Sequence, residues 1–228
     1  MIVTIPKLLS AAQVTEFQQA LSAAEWTDGR ATAGYLSSRT KDNVQLPEDH
    51  PTTRQLGATI LSALDHREQF IAAALPLRVL PPLFNRYSGG QSYGKHIDGA
   101  VRVMSGTPYR VRTDLSATVF LSHPADYDGG ELLIGGSEGE AEQRVKLAAG
   151  DMVLYGGGTV HRVAPVTRGA RLAAFFWIQS IVRDPTRRAL LLDLDTTIQQ
   201  LGRSGADHEA CVRLAGIYHN LLRQWAET

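Results

Sequence analysis

The residues best suited to chemistry in this chain are His96, Asp98 and His161. His96-Ile97-Asp98 spaces two side chains by two, and in extended backbone that period sets both on one face. A third ligand must come from elsewhere in the chain. His161, in the run Val160-His161-Arg162-Val163, lies sixty-three residues after Asp98 and is the histidine best placed to supply it. Two histidines and one carboxylate make a facial set around an octahedral metal such as Fe(II), with three positions left open. A chelating 2-oxoacid can take two of them and dioxygen the third. Arg171 follows His161 by ten residues, after a Thr167-Arg168-Gly169 turn. Hairpin pairing across that turn would return its planar guanidinium to the same cavity, where it suits the distal carboxylate of 2-oxoglutarate. Asn85 and Tyr87 alternate on the run before His96 and offer an amide and a phenol for the oxoacid's other oxygens. Trp177 shares the face of Arg171 and could wall the pocket, although the run Phe175-Phe176-Trp177 as a whole reads as core rather than a substrate box.

The elements that must hold these residues are legible from periodicity. Residues 83–87, 115–122, 131–134, 144–147, 152–155, 160–164 and 171–182 are short alternating runs separated by glycines, the pattern of an antiparallel sandwich or barrel. Ahead of them, 2–5 reads as a strand. Ser10 with Gln13 forms a capping box, and Leu9 with Val14 a hydrophobic staple, opening a helix with Val14, Phe17, Leu21 and Ala24 on one stripe. Residues 29–51 are polar and without period. The stretch 53–75 is helical, with a break expected near Asp65 and a stop at Pro76. Beyond Asp184-Pro185, Leu190, Leu191, Leu194 and Ile198, and then Cys211, Leu214, Ile217, Leu221 and Leu222, mark two helices that pack on the sandwich, with Cys211 a buried thiol. The expected division is therefore 1–77, an N-terminal strand and supporting helices; 78–179, the catalytic sandwich; and 180–228, a C-terminal helical extension.

Composition narrows the classes. The 228 residues carry 23 Lys+Arg against 23 Asp+Glu, so no basic field favours nucleic acid or an anionic membrane. At 43% hydrophobic and 20% charged, the chain can offset the entropy of ordering. A single cysteine forms no internal disulfide and no thiolate cluster. With a start that lacks a basic n-region, this points to a reducing, cytoplasmic setting.

The set Asn85-x-Tyr87, His96-x-Asp98, Gly129-Gly130-Glu131-Leu132, Gly150-Asp151, His161 and Arg171 resembles the catalytic domain of Fe(II)- and 2-oxoglutarate-dependent dioxygenases. The arginine ten residues past the distal histidine is similar to the prolyl and lysyl hydroxylase branch. The whole-chain layout resembles bacterial PKHD-type hydroxylases, a group often associated with iron uptake. The resemblance implies an α+β protein with a double-stranded β-helix, or jelly-roll, core and helices at either end. It implies Fe(2+) on His96, Asp98 and His161, and 2-oxoglutarate on Arg171, with Tyr87 a better-placed contact than Asn85. It also implies that oxidative decarboxylation of 2-oxoglutarate is coupled, with O2, to hydroxylation of a small molecule or peptide, and that ascorbate rescues oxidised iron. Phe120 departs from the pattern, standing where some prolyl hydroxylases offer a tyrosine to the cosubstrate.

Other readings remain open at this level. A nucleic-acid demethylase of the same superfamily would want a second arginine, for which Arg183 is the nearest candidate. A Zn(II) hydrolase or cupin-like isomerase leaves Arg171, Asn85 and Tyr87 without a role. An iron or oxygen sensor would use the metal site without turnover. Residues 99–114, directly after the first two ligands, form a lid candidate whose Arg102, Arg110 and Arg112 favour an acidic or polar target.

Overall fold

The segment 170–180 is apolar at consecutive positions because both of its faces are covered. In the computed structural model, which describes residues 1–32, 34–35, 37–136, 141–205 and 207–227, the strand Ala170–Ser180 lies in the middle of an eight-stranded antiparallel sheet. Across this major sheet the order is Ile2–Ile5, Met152–Gly156, Leu115–Phe120, Ala170–Ser180, Leu83–Ser88, Val44–Gln45 and Thr27–Asp28, and Pro76–Val79 also pairs with Ala170–Ser180. A minor sheet of five strands runs Gln143–Val145, Leu132–Ile134, His161–Val163, Ser92–His96 and Lys41–Asp42. Leu132, Ile134, Val145 and Val163 of the minor sheet share one buried cluster with Tyr87, Phe120, Val153 and Tyr155 of the major sheet. The two sheets thus face each other as a jelly roll, and the protein is α+β.

The outer face of the major sheet is covered by helices. Helix α1 (Ala11–Ser22) buries Val14, Phe17 and Leu21, and α2 (Pro51–Asp65) buries Leu56, Ile60 and Leu64. These stripes pack with Phe70 of α3 (Glu68–Ala74) on Phe84, Ala117, Leu154, Ala174 and Phe176. Each such Leu, Ile or Phe side chain removed from water stabilises the fold by about 1.5–3 kcal/mol. The capping box at Ser10 and Gln13 is formed, and the break after Asp65 falls where periodicity put it. Helices α4 (Pro185–Arg203) and α5 (His208–Trp225) pair with each other and close on Leu75 and Val182 through Leu191, Tyr218, Leu221, Leu222 and Trp225. No described helix is long and apolar enough to cross a membrane.

The structure departs from the sequence expectations in several places. Residues 41–42 and 44–45 are strands, and each is too short for a period-two pattern to register. The segment from Ser92 to His96 is also a strand, although Gly94 and Lys95 leave it without an apolar alternation. Cys211 is half-buried rather than buried, since α5 has no fully buried residue. The segment 99–114 is a small hairpin, with Val101–Val103 paired to Arg110–Arg112.

Candidate active site

His96 and His161 come together because the strands that carry them are neighbours in the minor sheet, with the two residues directly opposite in register. His96 ends its strand, and Asp98 follows in irregular backbone that turns its carboxylate back between the imidazoles. Asp98 Oδ1 lies 4.0 Å from His96 Nε2, and Oδ2 lies 3.7 Å from His161 Nε2. One ligand atom from each of the three residues falls within 4.8 Å of the others, a spacing that one ion can bridge. Each imidazole is oriented by the backbone two residues before it: His96 Nδ1 is 2.8 Å from the Gly94 carbonyl, and His161 Nδ1 is 2.9 Å from the Thr159 carbonyl. A carbonyl only accepts, so each Nδ1 carries a proton and donates, which turns each Nε2 toward the position of a metal. Burial first, and the neighbouring charge of His161 second, push the His96 pKa well below the usual imidazole value, which keeps this ring neutral. Tyr93 stacks on His96 at 3.6 Å and 17°, and Tyr155 meets His161 edge-on at 5.1 Å.

Asp98 is itself held. Ser116 Oγ donates to Asp98 Oδ2 at 2.6 Å from the major sheet across the cavity. Sequence reasoning missed Ser116, as it missed Tyr93 and Tyr155. The available signal was the pair Ser116 and Thr118, polar at period two inside the otherwise apolar strand Leu115–Phe120.

Arg171 reaches the same cavity by a different route from the expected hairpin. After His161–Val163 in the minor sheet the chain crosses over, turns at Gly169 with φ 67°, and enters the major sheet, where Arg171 pairs with Tyr87 and Ala173 with Asn85. The guanidinium therefore faces the iron-ligand candidates from the opposite sheet. It is 1% exposed and sits 5.5 Å from the Tyr87 ring and 5.2 Å from the Phe120 ring, with no carboxylate in reach among the described residues and with Nε lacking any hydrogen-bond partner. A buried cation left this way costs several kcal/mol unless an anion joins it. Asn85 Oδ1 is likewise buried without a partner, and Tyr87 is 1% exposed, its phenol pushed to a higher pKa by burial against the opposing pull of Arg171. Tyr155 is raised as well, by burial and then by the Asp98 charge. Gly130 packs tightly here, with φ 66° and no room for a Cβ, which would stand 3.1 Å from Arg171 Cδ.

Phe175, Phe176 and Trp177 all border the cavity; Phe176 also belongs to the helix-covered core, while Phe175 and Trp177 pack together on the face of Arg171. Phe176 and Trp177 are buried and Phe175 is partly buried, so the run contributes to the core as well as to the cavity wall. Of the three lid arginines, Arg102 lines the cavity. Arg110 is exposed, and Arg112 is taken up by Asp114 at 2.7 Å and Glu227 at 3.2 Å, so neither is placed to meet a substrate there. Arg183 lines a separate surface pocket with Trp225, away from the cavity, so it does not supply the second arginine that a nucleic-acid demethylase would want. His123 accepts from the Ala125 N–H and belongs to no metal-like cluster among the described residues.

The donor set fits an octahedral divalent ion: two imidazole nitrogens and one carboxylate on a single side. The orphaned Arg171 beside it fits a cosubstrate carboxylate.

Comparison with known proteins agrees with this chemistry. A family model described as the 2OG-Fe(II) oxygenase superfamily matches residues 82–179, and one described as the PKHD-type hydroxylase C-terminal domain matches 186–227. The PKHD-type hydroxylase PiuC of Pseudomonas aeruginosa is 54% identical over 227 residues, covering 100% of both chains. A PKHD-type hydroxylase of Saccharophagus degradans is 52% identical over 228 residues, also 100% of both. Among solved structures, a Pseudomonas putida prolyl-4-hydroxylase superposes with a TM-score of 0.52 at 22% identity, over 78% of this chain and 92% of that one, a likeness of fold. The full-length identity, the two family matches and the jelly-roll fold together show that this chain belongs to the PKHD-type hydroxylases and is a 2-oxoglutarate-dependent dioxygenase of the 2OG-Fe(II) oxygenase superfamily.

Proposed function

We propose that His96, Asp98 and His161 hold Fe(II), that Arg171 holds the distal carboxylate of 2-oxoglutarate, and that the protein hydroxylates a C–H bond of a small molecule or peptide. The observation that carries this reading is Arg171: a guanidinium 1% exposed, without a carboxylate partner among the described residues, lining the same cavity as the three ligand candidates. When bound, the iron with 2-oxoglutarate and O2 supplies the oxidising power for hydroxylation, the oxoacid ending as succinate and CO2.

The chain's own residues position and shield. The Gly94 and Thr159 carbonyls fix the two imidazoles with Nε2 inward, and Ser116 fixes the carboxylate between them. Confining all three ligands to one side leaves the opposite side open for cosubstrate and O2. Arg171, on the facing sheet, supplies a charge whose desolvation is already complete before the cosubstrate arrives, so its pairing is strengthened by the low local dielectric. Asn85 and Tyr87 flank Arg171 in the paired strand and offer polar atoms to the same ligand. Phe120 contributes a ring beneath the guanidinium and no donor, while Tyr87, Thr118 and Tyr155 are hydroxyl-bearing residues in the lining. Phe175 and Trp177 keep water from the substrate side. Ascorbate would serve as reductant for iron oxidised without product. The single cysteine fits work in the cytoplasm, and the association of similar hydroxylases with iron uptake favours a setting in iron homeostasis.

The test is anaerobic addition of Fe(II) and then 2-oxoglutarate, followed by the weak visible charge-transfer band of a chelated oxoacid. Folded protein that gives no band overturns the reading. If the band forms, admission of O2 with succinate release separates an enzyme from a sensor that binds without turnover.

A further inference from the structure

The cavity carries more positive charge than iron and 2-oxoglutarate account for. Among the described residues its lining includes three cationic side chains, Lys41, Arg102 and Arg171, and a single carboxylate, Asp98. On the Fe(II) and 2-oxoglutarate reading, on which this inference rests, the metal charge and Arg171 together balance Asp98 and the two carboxylates of the cosubstrate. The lining then supplies no further carboxylate for Lys41 and Arg102, and the other acids that act on them, Asp28 on Lys41 and Glu48 on Arg102, lie outside it.

Both are held against aromatic faces. Arg102, in the hairpin strand Val101–Val103, lies 4.0 Å above the Trp177 ring, and among the described residues its guanidinium has no ion-pair or hydrogen-bond partner. Lys41 is 6% exposed; its Nζ lies 5.5 Å from the Tyr93 ring centre and 5.9 Å from that of Phe175, and it donates to the neutral Gln45 Oε1 at 3.0 Å. Phe175 and Trp177 meet edge-on at 5.6 Å, so the two cations flank one aromatic pair. Burial first, and the charge of Arg102 second, lower the Lys41 pKa to about 8, a mutual pressure that an anion between them would relieve. Trp177 is six residues along its strand from Arg171, about 20 Å of extended chain, farther than a five-carbon diacid spans. Arg102, held over Trp177, thus stands apart from the cosubstrate carboxylate on Arg171.

We propose that Lys41 and Arg102 form the recognition site for a carboxylate on the primary substrate, with Phe175 and Trp177 packing the apolar body that carries it. The substrate class is therefore a small carboxylic acid with a flat or apolar portion, gripped at the Trp177 end of the cavity rather than the Arg171 end. Arg102, on the hairpin that follows Asp98, closes over this acid from the solvent side.

The test uses wild-type protein loaded anaerobically with Fe(II) and 2-oxoglutarate, and follows the charge-transfer band as matched probes are titrated: benzoate against benzamide, and 4-phenylbutyrate against 4-phenylbutyramide. The expected result is a saturable change of the band, with at least one carboxylate binding about tenfold or more tightly than its amide, the effect of one charge-assisted hydrogen bond. Arg102→Gln and Lys41→Met should each erase that preference while the affinity for 2-oxoglutarate stays within about twofold. Equal affinity within both pairs, or no saturable response to either carboxylate, overturns the proposal. So does a large loss of 2-oxoglutarate affinity in Arg102→Gln, which would assign that arginine to the cosubstrate. A wild-type protein that forms no band at all is a separate failure, of the iron and 2-oxoglutarate reading.

Discussion

His96 and His161 stand directly opposite each other on two antiparallel strands, their ring centres 4.2 Å apart and their planes inclined at 53°. Each ring is turned by a carbonyl two residues earlier, so the pair is oriented before any ion arrives. Replacing either ring removes a donor without touching the backbone ladder. We expect His161→Ala to keep its fold and to lose the 2-oxoglutarate charge-transfer band, and His123→Ala to keep both. Equal loss from the two variants, measured by visible absorption with circular dichroism as the fold control, would discredit the ligand choice.

Ser116 tests whether the carboxylate needs its support. The 2.6 Å bond from Ser116 Oγ holds Asp98 Oδ2 toward His161. Without it the carboxylate gains rotameric freedom that metal binding must remove. Ser116→Ala should weaken Fe(II) or Mn(II) affinity by about 10- to 100-fold in a chelator competition, with little change in the urea midpoint. An unchanged affinity would show that Asp98 is fixed by the ion alone.

Arg171 makes opposite predictions for the free and the loaded protein. In the free protein it is a buried cation without a carboxylate, so Arg171→Met should raise thermal stability or leave it level. In the wild type, 2-oxoglutarate at 100 times its dissociation constant should stabilise by about 2.7 kcal/mol, a shift that the variant loses. Differential scanning fluorimetry with Mn(II) in place of Fe(II) measures both. A cosubstrate-induced shift that survives in the variant would move the distal carboxylate elsewhere.

The residues at the site were legible in the sequence to unequal degrees. His96-x-Asp98 and the arginine ten residues beyond His161 could be read because each lies in a short local pattern, and the helices could be read because Val14, Phe17 and Leu21 repeat over two turns. The path of Arg171 could not, since a strand that switches sheets leaves the same local signature as one that folds back as a hairpin. Lys41 was invisible for a related reason: its strand, Lys41–Asp42, is two residues long, and only its pairing with Ser92 and Tyr93 brings it to the cavity. Arg102 and Arg112 looked equivalent along the chain. Ion pairs with Asp114 two residues on and with the distant Glu227 take up Arg112, whereas Arg102 lies over Trp177.

Lys41 also predicts how stability depends on pH. Its pKa in the fold is about 8, against an ordinary lysine value of 10.5, because burial disfavours the ammonium. Below pH 8 both folded and unfolded chains hold the proton, and the fold bears the whole cost of burying it. Between pH 8 and 10.5 the folded chain has released a proton that the unfolded chain keeps, so this group's contribution to stability rises with pH across that window. Lys41→Met has no such group. The stability of the variant relative to wild type should therefore be greatest at or below pH 7 and fall by roughly 2–3 kcal/mol as pH approaches 10.5. Urea unfolding of both proteins at pH 7, 8.5 and 10 measures it. Parallel profiles would mean that Lys41 keeps its charge throughout, as it would if the cavity held an anion beside it in the free protein.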